Sequence, residues 1–146
     1  MEINFLIENL KINKDEPGFE WGEFVIKDGE DEVFKIEDYV INFLSKIVLK
    51  LIELKTVDSV SEQFVDGPPY INFMRSENNM VYVYFTSIDN KVLDYPEIKI
   101  EYKKLCEMFI VLVDGVLQDL NSLKPDYLSI WEGDLIIGKE KLKSVL

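Results

Sequence analysis

The sequence predicts an α+β fold, an antiparallel sheet of about five to seven strands with two main helices packed on one face. Two long stretches with helical periodicity and two pairs of short apolar runs around turn signals carry that reading. No Gly/Ser linker, low-complexity tract or Pro-rich arm divides the 146 residues, so one acidic domain is expected over 1–146.

The first strand is expected at Ile3–Ile12. Glu20–Lys27 and Glu32–Ile36 flank Asp28-Gly29-Glu30-Asp31, and Asp-Gly between such runs is a hairpin signal. A helix follows over Glu37–Leu54. Its polar positions Asn42, Lys46, Lys50 and Glu53 form one narrow stripe, and apolar residues cover the rest, so it must be covered on more than one side. Glu37 and Asp38 at its start, and Lys50 and Lys55 near its end, suit the helix dipole.

Gly67-Pro68-Pro69 reads as a break. Tyr70–Arg75 and Met80–Thr86 then flank Ser76–Asn79 as a second hairpin. Tyr82 and Tyr84 share one face of the latter strand; exposed they form a binding platform, otherwise they pack under a helix or at a dimer contact. After a break at Tyr95-Pro96, Ile98–Tyr102 alternates and leads into a helix over Lys103–Asn121. Gly115 inside it suggests close packing against another element. The tail reads as a short strand at Asp134–Ile137 and a short helix at Lys139–Val145. Phe34-Lys35-Ile36-Glu37 before the first helix echoes Ile98-Lys99-Ile100-Glu101 before the second, which suggests two strand–strand–helix units.

Charge limits the function. Asp plus Glu is 28 and Lys plus Arg is 16, a net −12. Twelve acids and four lysines fall in residues 1–40, so −8 of the −12 sits in the first quarter. Such a surface repels nucleic acid and anionic lipid and attracts a basic protein. The first residues lack the basic start of a signal peptide, and the longest apolar run, Met108–Val113, is far short of a bilayer span. With Cys106 as the single cysteine, these features point to the cytoplasm.

The chain has no histidine, so Ser-His-Asp, Cys-His and HExxH chemistry is excluded. No glycine-rich phosphate loop is present. Cys106, among Leu105, Phe109 and Ile110, reads as a small buried hydrophobe. No catalytic residue, cofactor or metal site is expected. Carboxylates alone leave one enzymatic alternative, a metal-dependent enzyme, and Asp28–Glu32 does not match an EF-hand loop.

Aromatic residues among acids mark the expected contact surface: Glu20, Trp21 and Glu23; Asp28, Glu30, Asp31 and Glu32; Trp131, Glu132 and Asp134. The expected function is a non-enzymatic protein-binding module that covers a basic partner. In general make-up such a chain resembles the immunity proteins paired with bacterial toxins, and no motif specifies that class. A homo-oligomeric structural or regulatory domain is the alternative, motivated by the apolar first helix and the Tyr82/Tyr84 face.

Overall fold

The structure, a computed structural model, describes residues 2–11, 19–123 and 130–146. It is α+β. Strands β1 (Ile3–Lys11), β2 (Trp21–Asp28) and β3 (Asp31–Tyr39) form an antiparallel meander that runs into helix α1 (Val40–Glu53). Strands β4 (Ser59–Phe64), β5 (Gly67–Arg75), β6 (Met80–Thr86) and β7 (Ile98–Glu101) form a second antiparallel meander that runs into α2 (Tyr102–Leu123). Helix α3 (Ile130–Ser144) follows. The seven strands are thus divided between two sheets. The echo around residues 34 and 98 falls on the two places where a strand passes into a helix without a connecting residue, β3–α1 and β7–α2.

The Asp-Gly hairpin forms as its chemistry requires. Asp28 pairs with Asp31, and Gly29 takes the positive φ of 62° that a tight turn demands. Helix α1 buries Val40, Ile41, Phe43, Leu44, Ile47, Val48 and Leu51. Cover comes from its own chain: α1 packs on β2, β3 and β4 on one side and on α2 and α3 on others. The buried face of the first helix is therefore covered within the chain. Helix α2 reaches β1 of the first sheet and β7 of the second. Both helices bridge both sheets, and one apolar cluster runs through all of them. Phe24 is its hub, with ring centroids 4.8 Å from Phe43 and 6.1 Å from both Phe5 and Phe64. Phe34 of β3 stacks on Phe85 of β6 at 3.8 Å and 8°, joining the sheets directly.

Several local expectations change. Glu37 and Asp38 lie on β3, not in the first turn of α1, and the Asp38 carboxylate turns to the β4–β5 connection, where it accepts from Val65 N at 2.8 Å and Asp66 N at 3.0 Å. Pro68 and Pro69 belong to β5. Its pairing with β6 starts only at Tyr70, so neither proline removes a hydrogen bond on that side. The tail is one helix; Leu135, Gly138 and Leu142 face inward at helical spacing, while exposed Ile136 and Ile137 hide the period. Gly115 is exposed, and a methyl there would touch nothing within 4 Å. Close approach occurs elsewhere: a Cβ on Gly22 would lie 2.8 Å from Val40 Cγ2, and one on Gly138 3.2 Å from Val48 Cγ1. Among the described residues no helix is long and apolar enough to cross a membrane.

Candidate functional site

The early acids do not form one lobe. Glu20 is fully buried and so presents no carboxylate at the surface, and its main-chain carbonyl accepts from Val40 N. Glu23 sits 2.6 Å from Lys35 Nζ and also accepts from Asn9. These partners hold its carboxyl below the usual range, the Lys35 hydrogen bond contributing most. Glu8 pairs with Lys27 at 3.6 Å, and Asp28 accepts from Glu2 N at 2.8 Å. Asp38 is 1% exposed, and burial pushes its carboxyl up despite the two turn N–H groups. Asp15 and Glu16 lie outside the described residues. Glu30, Asp31 and Glu32 are left exposed at the hairpin tip, with no ion pair among the described residues.

Trp21 does not join them. It stands at the other end of β2, paired with Tyr39 and edge-on to its ring at 5.0 Å. Trp21 and Asp28 are seven steps apart along the strand, about 23 Å. Asp134 is exposed on α3, which packs on α1 and α2. The side chains of Trp131 and Glu132 lie outside the described residues. Of the described members of the expected contact surface, Glu20 is buried, and Trp21 and Asp28 stand at opposite ends of β2.

A different assembly does converge. The outer face of the second sheet carries Tyr82 and Tyr84, half-buried, and among the described residues no helix contributes to the cavity they line. Beside them Met74, Val92, Leu93, Tyr95 and Glu97 complete the wall of a cavity of about 480 Å³. On the same face Asn72, the strand partner of Tyr84, is 8% exposed, and its Nδ2 donates to Thr86 Oγ1 at 3.0 Å and Tyr84 O at 3.2 Å. Lys99 Nζ lies 5.2 Å from the Tyr82 centroid, so one tyrosine of the face already holds a cation.

Segment 87–97 forms the lip. Leu93 N donates to Phe85 O at 2.9 Å, Ser87 N donates to Lys91 O at 2.9 Å, and Asn90 takes a positive φ of 65° to close the turn. The Tyr95 ring spans the end of the sheet, 5.0 Å from Phe34 and 5.5 Å from Phe85. Phe34 is three residues from Asp31, about 10 Å along the strand. The hairpin tip and the lip therefore share one end of the molecule. The lip adds exposed Asp89, Asp94 and Glu97, also without an ion pair among the described residues. Ile88 and Val92 are 68% and 70% exposed beside them. The result is an aromatic cavity with Glu97 in its wall, beside a lip in which Asp89, Asp94 and Glu97 outnumber Lys91. Sequence reading reached Tyr82 and Tyr84. It missed Met74, Tyr95 and Glu97, for which the available signal was the unusual run of Ile88, Val92 and Tyr95 in a loop otherwise rich in acids.

Nucleophilic chemistry has no support in the Cys106 environment. The thiol is fully buried, and burial pushes it up to about 11. Its thiolate fraction at pH 8 is then about 100-fold below that of an ordinary cysteine. Labelling of the native chain by a disulfide reagent at pH 8 should run at least about 100-fold slower than in denaturant. Equal rates would show an accessible, ionised thiol and contradict this environment. Among the described residues no group of three acids or cysteines could hold a metal ion. Comparison with family models, curated proteins and solved structures gives no match.

Proposed function

We propose that the chain is a non-enzymatic protein-binding module that covers a basic partner with the outer face of the β4–β7 sheet. The observation that carries this is the cavity of Tyr82, Tyr84, Tyr95 and Glu97 at an end where exposed carboxylates have no ion pair among the described residues. A lysine or arginine of the partner would enter it. Tyrosine faces attract a cation by about 0.5–2 kcal/mol, more as water is excluded, and a carboxylate in the same wall adds charge pairing. Glu30, Asp31, Glu32, Asp89 and Asp94 act at longer range, raising the encounter rate and fixing register. An inhibitor of the immunity or antitoxin type would work this way, by occluding a basic surface without changing it chemically. A second copy is a poorer occupant of the face, because pairing two such rims would bring like charges together.

Capture from the native cytosol on four immobilised baits tests the reading. The baits are the wild-type chain, Asp94→Lys/Glu97→Lys, Tyr84→Ala, and the control Glu140→Gln on α3. A stoichiometric basic protein should bind the wild type and the control. The double charge reversal should weaken it at least about 100-fold, and its association rate should fall about tenfold or more between 20 and 200 mM salt. Identical capture by wild type and the charge-reversed bait, or no stoichiometric partner, would overturn the proposal.

A further inference from the structure

The opposite chemistry occurs at the place where α1 ends and α2 begins. Lys55, Arg75, Asn79, Tyr102 and Lys103 line a small cavity of about 220 Å³, with Glu101 and Leu146 in the same wall. That is below the roughly 300–1,000 Å³ of sites for drug-sized ligands. Arg75 is the only arginine of the chain. Its Nη1 donates to Lys55 O at 2.8 Å and Leu54 O at 3.1 Å, and its Nη2 to Asn79 Oδ1 at 3.4 Å. The guanidinium is thereby held 5.5 Å from the Tyr102 centroid. Lys55 Nζ lies 5.7 Å from the same ring.

Two cations thus lie over one aromatic ring, Arg75 held there by its hydrogen bonds, and a third, Lys103, lines the same cavity. Among the described residues no carboxylate lies within ion-pair distance of any of the three, Glu101 included. Concentrating like charges is unfavourable, and among the described residues only neutral oxygens on Arg75 and the Tyr102 ring offset it, which leaves the cluster short of a full counter-charge. Arg75 presents its charge from a fixed position, and fixed donors bind oxyanions with less loss of freedom than mobile ones. The first turn of α2 contains no acid, and Glu101 just before it is the carboxylate side chain in the cavity wall.

We infer that this cavity binds a small oxyanion of the phosphate class, held between Arg75, Lys55 and Lys103. The inference is independent of the basic-partner reading, since it uses none of the same residues. The probe is inorganic phosphate, compared with chloride at constant ionic strength and pH 7.5. Thermal unfolding of the wild-type chain should rise by about 2–4 °C at 10 mM phosphate. Lys55→Gln/Lys103→Gln, which changes exposed side chains only, should keep the melting temperature in chloride within about 1 °C and lose the phosphate shift. Phosphate titration should also move the Arg75 side-chain N–H resonances of the wild type and not of the double variant. No phosphate-specific shift, or a shift retained in the double variant, would overturn the site.

Discussion

Phe24→Ala should lower stability by about 3–5 kcal/mol, the range for removing a buried phenylalanine ring. Phe24 is 1% exposed. Its ring meets Phe5 of β1, Phe34 of β3, Phe43 of α1, Phe64 of β4 and Phe109 of α2. One truncation therefore opens a void shared by both sheets and both long helices, where no single neighbour can move in without leaving another contact. A loss of this size is a large part of the roughly 5–15 kcal/mol available to a domain. Urea unfolding should show a lower midpoint with an unchanged slope. Leu49→Ala on α1, at a side chain 56% exposed, should change stability by less than about 0.5 kcal/mol. A Phe24→Ala midpoint equal to the wild type would mean that the sheets are not joined through this ring.

Asp38→Ala should cost about 3 kcal/mol at pH 7, because it leaves Val65 N–H and Asp66 N–H without their acceptor. The pH dependence separates the two opposing influences on this carboxylate. Burial, the larger, raises it above its ordinary 3.8, while the backbone N–H groups lower it. A raised folded value means that the folded chain takes up a proton before the unfolded chain does. Stability from this group is then fully present below pH 3.8 and is lost as pH rises through the raised value. The gap between wild type and Asp38→Ala should consequently widen as pH falls from 7 towards 3.5. A gap that narrows would show that the N–H groups outweigh desolvation. Glu23 works the other way: its lowered carboxyl contributes above its ordinary 4.5, and that contribution is lost as pH falls through the lowered value.

Much of the fold was legible where local chemistry and tertiary packing agree. Asp28-Gly29 specified its turn, and the narrow polar stripe of α1 specified a helix covered on several sides. Strand β4 was not legible. In Ser59–Phe64 only Val60 and Phe64 are buried, four residues apart, and a register shift at Gln63/Phe64 breaks the alternation that marks a strand. The tail failed for a related reason, since Ile136 and Ile137 are apolar residues on the wet side of α3. At the candidate site, composition gave the sign of the charge but not its placement. Lys35 and Lys27 lie far from Glu23 and Glu8 in sequence, and only strand pairing brings them onto one face of the sheet. Arg75 gave no periodic signal, and its role at the end of α1 depends on a hairpin folding back across about twenty residues.

The direct passage of β3 into α1 and of β7 into α2 has a bearing on how this molecule can vary. One residue gained or lost at Tyr39–Val40 or Glu101–Tyr102 would rotate the helix by about 100° and turn its apolar stripe away from the sheets. Segment 87–97 is tied down at Leu93 and Tyr95, which bond and pack onto β6, while 88–91 stay exposed. Length and charge can therefore vary at 88–91 without disturbing the passage of either strand into its helix.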